Sequence, residues 1–546
     1  MRSVMSHNFS QVPRADIQRS TFKRDCGYKT TFNSGYLVPV FTDEVLPGDS
    51  FKVNHALLAR LATPIVPIMD NLHLDTFYFF VPNRLLWDNW ERFNGQQDNP
   101  EDSTDYLIPQ VTCPSGGFPA LGVADYFGIP TSVDGLDVNA LYFRAYNLIY
   151  NEWFRDENLI DSVSVPKGDG PDLDSNYSLL RRCKHHDYFT SCLPWPQKGP
   201  GVEVPLGQFA PVYGDGNSLG LNNGTTNYGL GKAVVKGTSE SDVWHDGLGV
   251  KSTLYGSSTG TTSTLSSLGI ADNTIVGLGV VTSGTSGLHA DLSSATAVTI
   301  NTLRQAFQLQ RLYERDARGG TRYTEILRAH FGVVSPDSRL QRPEFLGSAS
   351  SRINVTPVQQ TSASDDTSPQ GNLAAYGLCV DSSNGFNHSF VEHGVIIGLV
   401  NVWADLTYQQ GLSKLFTRQT RFDYYWPALA HLGEQAVLNS EIYATGTATD
   451  DDVFGYQERY AEYRYKPSLI TGKMRSTDPQ SLDVWHLSQH FTSLPTLSED
   501  FIHENPPIER VVAVTDEPQF ILDMFFKVSS TRPMPVYGVP GMIDHF

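Results

Sequence analysis

Residues 520–528, with the sequence FILDMFFKV, carry the clearest strand pattern of the 546-residue chain. Large apolar side chains stand at Phe520, Leu522, Met524, Phe526 and Val528, so they share one face of an extended backbone. The intervening positions include one acidic and one basic residue. This alternation is typical of a strand with one buried face and one face in solvent.

The beginning of the chain shows strands of a different kind. In residues 36–41 (YLVPVF), apolar side chains occupy both faces, as in strands that are covered on both sides. We expect a second sheet to cover one face and a neighbouring subunit to cover the other. Further strands are predicted over 51–61, 72–81 and 395–402. Sheet at both ends, with helices and loops between, predicts a mainly β fold: a jelly roll with long insertions between its strands.

Aromatic side chains at helical spacing form two stripes between these strands, over residues 86–93 and 142–153. Packing in a core or between subunits explains such stripes better than a cofactor site does. The charged fraction of 18% and the aromatic fraction of 11% also fit a surface that is buried against other subunits, although an extracellular β-rich protein would have a similar composition. The candidate subunit-interface residues are Tyr36, Phe41, Trp87, Trp90, Tyr142 and Trp153.

Cations are concentrated in two segments of this chain. Residues 1–30 are predicted to form a basic arm, held by neighbouring subunits or nucleic acid, with a solvated tail as the alternative. Nine arginines fall between Arg304 and Arg352, where two helices are predicted, with Gly319 as a left-handed cap between them. An inner surface facing phosphate groups and a solvated helix face explain these arginines equally well. The candidates for an inner or DNA-facing surface are Arg14, Arg19, Lys23, Arg24, Arg304, Arg311, Arg315, Arg318 and Arg322.

The overall composition argues against several classes of protein. A net charge of −19 argues against a protein whose whole surface binds nucleic acid or an anionic membrane. Five cysteines at no framework spacing argue against a disulfide scaffold and indicate a reducing compartment. No apolar run reaches the roughly 18 residues of a membrane span, and the first residues lack the apolar core of a signal peptide. The chain is therefore expected to be made in the cytoplasm and to stay there until lysis.

The segment 199–300 differs from the rest of the chain because Gly, Ser, Thr and Asn dominate it. Such a composition usually indicates a linker or disorder, but short apolar runs at 233–235 and 274–276 are typical of strands joined by tight turns. We interpret the segment as a surface insertion stabilised by contact with copies of itself. The predicted organisation is an arm over 1–30, the first part of the jelly roll with helical insertions over 31–198, the insertion over 199–300, and arginine-rich helices with the remainder of the jelly roll over 301–546.

Motifs for catalysis and metal binding are weak. Two matches to the serine-hydrolase pattern G-x-S-x-G, at 216–220 and 256–260, lie in the Gly-rich insertion, where chance matches are expected. The run 183–186 (CKHH) with nearby Cys192 offers groups that zinc prefers, but no second C-x-x-C completes a tetrahedral set. The sequence therefore predicts no catalytic residue, no metal site and no cofactor, and the protein is not expected to be an enzyme.

Four stretches carry a family resemblance. They are 304–323 (RQAFQLQRLYERDARGGTRY), 186–199 (HDYFTSCLPWPQKG), the opening FNSG at 32–35 with VLPGD at 45–49, and RFDYYWP at 421–427. Together they closely resemble the major capsid proteins of the Microviridae, and of the gokushovirus branch in particular. The stretches follow in order along almost the whole chain, and the Gly-rich insertion is the part that does not align.

The resemblance implies a viral eight-stranded jelly-roll subunit, sixty copies of which build a T=1 icosahedral shell around circular single-stranded DNA. It implies assembly in the bacterial cytoplasm with an internal scaffolding protein, a DNA pilot protein and a small basic DNA-binding protein as partners. It also implies that the insertion forms a protrusion at the threefold axes, which would meet a host cell-surface receptor. The candidate host-facing residues are Tyr228, Trp244 and Tyr255.

Two other classes of protein remain open at this point. A glycan-binding jelly-roll or tail-fibre-like attachment protein would form a small oligomer that never closes a shell. A secreted hydrolase is disfavoured because the chain shows neither a signal peptide nor a catalytic constellation.

Overall fold

The structure is a computed structural model of the chain, in which two compact units are distinguished. One unit comprises Met1–Lys198 with Glu314–Phe546, and the other comprises Gly199–Tyr313. The residues that the structure describes are 18–202, 212–214, 220–222, 227–234, 240–246, 251–252, 288–290, 300–334, 341–362 and 369–537.

Strands dominate the described residues. In chain order they are β1 Ser20–Lys23, β2 Cys26–Phe32, β3 Val38–Val45, β4 Ser50–Leu61, β5 Leu72–Pro82, β6 Gln110–Thr112, β7 Val138–Asn139, β8 Asp172–Leu173, β9 Val212–Gly214, β10 Gly220–Asn222, β11 Asn227–Val234, β12 Glu240–Asp246, β13 Lys251–Ser252, β14 Leu288–Ala290, β15 Glu344–Gln359, β16 Leu373–Ser389, β17 Gly394–Ala404, β18 Thr407–Tyr408, β19 Glu434–Leu438, β20 Val453–Glu458, β21 Ser468–Leu469 and β22 Phe520–Arg532. The α-helices are α1 Trp90–Phe93, α2 Val123–Tyr126, α3 Leu141–Ile149, α4 Ile300–Arg318, α5 Tyr323–Phe331, α6 Asn439–Ile442 and α7 Glu499–Ile502.

Eight of the strands form a jelly roll of two antiparallel four-stranded sheets. The first sheet has the order β2-β22-β4-β16 and the second has the order β3-β17-β5-β15. β15 also pairs with β16 and so joins the two sheets at one edge, while β1 continues the first sheet along β22. The eight-stranded jelly roll predicted for this chain is confirmed.

The inward faces of the two sheets enclose the main hydrophobic core. In β22, the side chains of Phe520, Leu522, Met524, Phe526 and Val528 are at most 2% exposed. β4 runs antiparallel beside β22 over twelve residue pairs and alternates buried and exposed positions in the same way. The apolar face predicted for residues 520–528 is therefore the core face of the barrel.

The second sheet is buried on its outward face as well. Leu37, Phe79 and Ile397 are buried in a second core cluster with the apolar face of α3, and the Tyr146 hydroxyl of α3 donates to the Leu37 carbonyl at 2.8 Å. This layer belongs to the insertion between β5 and β15. The expectation that a neighbouring subunit covers the outward face of residues 36–41 is therefore wrong, because the chain covers that face itself.

A second large insertion lies between β17 and β22 and holds β18 to β21, α6, α7 and several single-turn 3₁₀ helices. It builds a third core cluster around Tyr188, Phe189, Phe454 and Phe501. Tyr188 and Phe189 belong to the first insertion, so the two insertions pack against each other beside the jelly roll.

The two predicted arginine-rich helices are α4 and α5, but the turn between them differs from the prediction. Gly320, with φ of +95°, takes the left-handed conformation that we assigned to Gly319. Gly319 is needed for a different reason: a Cβ atom there would lie 2.5 Å from the Cβ of Ala329 in α5. Gly320 thus provides the left-handed turn, and Gly319 allows the two helices to approach closely.

Candidate assembly and nucleic-acid surfaces

Five of the predicted DNA-facing cations have exposed side chains. Arg304, Arg311 and Arg315 lie on α4, and Lys23 lies on β1. Arg19 is exposed directly before β1, and its guanidinium donates to the carbonyl of Gly48 in the turn between β3 and β4. The charged groups of these five side chains are accessible on the surface of the subunit. Arg14 lies outside the described residues.

The other predicted DNA-facing cations are compensated within the subunit. Arg24 donates to Asp43 at 2.5 Å, and the Nε of Arg318 donates to Glu434 at 2.9 Å. Arg322 forms ion pairs with three carboxylates, those of Glu152, Glu157 and Glu325. Because carboxylates already occupy these guanidinium groups, we remove Arg24, Arg318 and Arg322 from the candidates for phosphate contact.

The predicted subunit-interface residues divide into buried and accessible ones. Trp87 is fully buried and Phe41 is 7% exposed, both inside the subunit. Neither side chain can contact another subunit, so the prediction is wrong for these two. The accessible candidates are half-buried Tyr36, Trp90 and Tyr142, and Trp153, which is 37% exposed.

A larger exposed apolar surface lies in the second insertion and was not among the predicted interface residues. We call it the aromatic surface and define it by Phe416, Phe422, Tyr424, Tyr425, Trp426 and Tyr463, which are between 49% and 80% exposed. The sequence signal was the run RFDYYWP at 421–427, in which four of seven residues are aromatic. Soluble monomers rarely expose so many aromatic rings in one segment, so the surface is suited to contact with another chain.

A buried ion pair holds the aromatic surface in place. Arg418 and Glu462 are 6% and 7% exposed and lie 3.1 Å apart. The Arg418 guanidinium also lies over the rings of Tyr424 and Tyr463, at 5.1 and 4.5 Å from their centroids. Because a rigid contact surface loses less conformational entropy on binding, this arrangement favours association.

Known proteins are similar to this chain along almost its whole length. A family model described as capsid protein (F protein) matches residues 10–542. The chain belongs to the phage capsid protein (F protein) family. Proteins named capsid protein VP1 are similar to it: that of Bdellovibrio phage phiMH2K is 51% identical over 99% of this chain and 98% of the relative. The capsid protein VP1 of Chlamydia phage 1 is 46% identical over 99% of this chain and 98% of the relative. That of Spiroplasma virus 4 is 38% identical over 98% of this chain and 97% of the relative.

These relatives confirm the resemblance to gokushovirus capsid proteins. The chain is therefore a structural capsid protein of the virion that self-assembles into a shell, and it is not an enzyme. Among the described residues, every helix is too short or too polar to cross a bilayer.

The Gly-rich insertion of this capsid protein contains β9 to β14. Two of the candidate host-facing residues lie in its strands: Tyr228 is in β11 and Trp244 is in β12, where Trp244 pairs with Leu230. Tyr255 lies outside the described residues. The described strands β10 to β13 form an antiparallel ladder, and the apolar run predicted as a strand at 274–276 lies outside the described residues.

Cys183 and Cys192 of the capsid protein are built into its packing. The thiol of Cys192 donates to the Tyr188 carbonyl at 3.3 Å, and the Cys183 sulfur accepts from the Asp156 backbone N–H at 3.2 Å. All five cysteines are free. In the part of the chain that the structure describes, no three such ligands come together at a possible metal site.

His185 makes the stability of the subunit depend on pH. Its ring packs against Trp403 with the centroids 3.9 Å apart, and burial lowers the pKa of His185 from 6.5 to about 4. The unfolded chain therefore binds a proton near pH 6.5 that the folded chain excludes until about pH 4, so stability is lost as the pH falls through this range. We expect the Tm of the subunit to fall more steeply between pH 7 and 4.5 in the wild type than in His185→Gln.

The matched control for this prediction is His186→Gln, since His186 is the exposed neighbour. It should keep the wild-type dependence of Tm on pH in the same thermal unfolding series. Parallel curves for the wild type and His185→Gln would contradict the role of His185.

Proposed function

We propose that this capsid protein closes, in sixty copies, a T=1 icosahedral shell around circular single-stranded DNA. The aromatic surface is the observation that carries the proposal, because it leaves a rigid apolar area exposed on the folded subunit. Closed symmetric assemblies need such self-complementary areas, which bind weakly one at a time and strongly in sum. The four accessible interface candidates, Tyr36, Trp90, Tyr142 and Trp153, would add to these contacts.

We further propose that the subunit assembles in the cytoplasm of the bacterial host with three kinds of partner. An internal scaffolding protein would guide closure, a DNA pilot protein would accompany the genome, and a small basic protein would neutralise phosphate groups. The net charge of −19 supports the third partner, because a shell of acidic subunits leaves most of the DNA charge uncompensated.

We also propose that the Gly-rich insertion serves in host attachment. It forms most of a compact unit of its own, Gly199–Tyr313, so it can vary without disturbing the jelly roll. A receptor on the host surface would be met by this unit, with Tyr228, Trp244 and Tyr255 as candidate contacts.

The double variant Phe422→Ser with Trp426→Ser tests the assembly role of the aromatic surface. Truncating a central aromatic contact typically costs about 2 kcal/mol or more, and a shell repeats that loss in every subunit. We expect closed particles to fall below about a tenth of the wild-type yield, measured by sedimentation and electron microscopy after expression with the scaffolding protein.

The control for this experiment is Val391→Ser in the turn between β16 and β17, where Val391 is 81% exposed. It should assemble normally, and both proteins should keep the wild-type Tm as free subunits. Wild-type particle yield from the double variant would overturn the role of the aromatic surface. A wild-type protein that stays a small sugar-binding oligomer would favour the attachment-protein alternative.

A further inference from the structure

The outward face of the first jelly-roll sheet is exposed and basic. We call it the basic strand face, formed by the outward side chains of β1, β2, β22, β4 and β16. By strand spacing it measures about 15 Å across the strands and about 35 Å along them. Its cations, all with exposed side chains, are Lys23, Lys29, Lys52, Arg60 and Lys527.

Strand pairing places these cations on one side of the sheet. Lys23 of β1 and Lys52 of β4 are both direct partners of Ser529 in β22, and directly paired residues point to the same face. Lys527 lies two residues from Ser529 in the same strand, so it also points to that face. The other two cations pair with residues further along β22 on the same side.

Negative charge is scarce on this face. Among the described outward side chains of its strands, Asp523 is the one carboxylate, and it lies 2.9 Å from the Lys29 ammonium. Five cations and one carboxylate leave a local charge of +4 on a chain whose net charge is −19. A cluster of this sign on an acidic protein marks a surface for a negatively charged partner.

Exposed apolar side chains lie among the cations. Leu58, Val380, Ile521 and Phe525 are 45% to 68% exposed. Leu58 pairs directly with Val380, and Ile521 pairs with Arg60, so apolar side chains lie between the charged ones. Exposed apolar side chains next to cations suit unstacked bases and the phosphates that join them.

The two sheets of the jelly roll differ in how the rest of the chain covers their outward faces. The insertion with α3 covers the outward face of the second sheet, whereas the corresponding face of the first sheet carries exposed charges. The exposed arginines of α4 are the competing surface for nucleic acid within the same subunit.

We propose that the basic strand face is the surface on which the subunit holds packaged single-stranded DNA. The inference rests on the proposed function and assigns the DNA contact to the strands in place of the arginine-rich helices. Apart from Lys29, which is paired with Asp523, the cations bind phosphate groups, while Phe525 and the exposed aliphatic side chains contact bases. Binding of this kind has no sequence preference and weakens steeply with salt.

The test compares two double variants with the same change of charge. One is Lys52→Gln with Lys527→Gln on the strands, and the other is Arg304→Gln with Arg311→Gln on α4. The full-length subunit is titrated with a fluorescent oligodeoxythymidine at several salt concentrations, and the DNA content of particles is measured in parallel. The strand variant should bind about tenfold more weakly, with a logarithmic salt slope shallower by about 1.4, since each phosphate contact contributes about 0.7.

The helix variant should bind the oligonucleotide as the wild type does, and thermal unfolding should show that both variants are folded. Loss of binding in the helix variant alone, equal losses in both variants, or no loss in either would each overturn the inference. A strand variant that binds and packages DNA normally but fails to assemble with the scaffolding protein would also overturn it. Wild-type subunits that bind no oligonucleotide and close into shells without DNA would instead refute the proposed enclosure of DNA.

Discussion

Arg144→Met is expected to lower the free energy of unfolding of the subunit by about 3–5 kcal/mol. The Arg144 guanidinium is fully buried and donates from Nε and Nη2 to the two carboxylate oxygens of Asp172, both at 2.7 Å. Its third donor, Nη1, reaches the Leu86 carbonyl at 3.0 Å. The variant would leave the Asp172 carboxylate, which is 3% exposed, with the Tyr177 hydroxyl as its remaining side-chain donor.

Denaturant unfolding of the free subunit measures this effect, and two further variants define its cause. Arg464→Ala removes an exposed ion pair with Glu458 and should change stability by less than about 1 kcal/mol. Arg144→Met combined with Asp172→Leu removes both buried charges and should recover most of the loss. An Arg144→Met subunit within about 1 kcal/mol of the wild type would show that the pair contributes little to the fold.

Trp87→Ala is expected to cost about 3–5 kcal/mol in the free subunit, because it opens a large cavity in the second core cluster. The Trp87 ring is fully buried beside Phe93, at 5.4 Å between centroids. Its Nε1 donates to Asp169 at 2.7 Å. A role in subunit contacts would give a different result, with normal stability of the free subunit and a loss confined to the shell.

Trp87→Phe is the conservative control, since it keeps an aromatic ring in the core but removes the hydrogen bond to Asp169. We expect it to lose roughly half as much stability as Trp87→Ala in the same chemical denaturation series. A free Trp87→Ala subunit as stable as the wild type would contradict the core role.

Local patterns predicted the strands of the jelly roll well. The period of two in residues 520–528 identifies the buried face of β22, because side chains of a strand point alternately to opposite sides. The two-sided apolar run at 36–41 correctly predicted a strand covered on both faces. It could not show what covers the outward face, because α3 lies about 100 residues further along the chain.

The candidate surfaces were harder to predict from the sequence, because the residues that form them lie far apart along the chain. An excess of arginine between Arg304 and Arg352 is visible in the sequence, but the carboxylates that compensate Arg318 and Arg322 lie up to 170 residues away. Lys23 and Lys29 of the basic strand face lie in the basic segment 1–30. Its other cations, Lys52, Arg60 and Lys527, come from distant strands, so no single segment of the sequence shows the whole face. The register of the sheet brings these charges together on one face.

The position of β22 in the first sheet has a consequence for the synthesis of the protein. β22 begins at residue 520, yet it lies between β2 and β4, which are complete by residue 61. A ribosome that has made the first strands must therefore add more than 450 residues before their common neighbour exists. During that time both strands present unpaired backbone edges, which are sites of aggregation. The barrel can therefore close only late in translation, once β22 has been made.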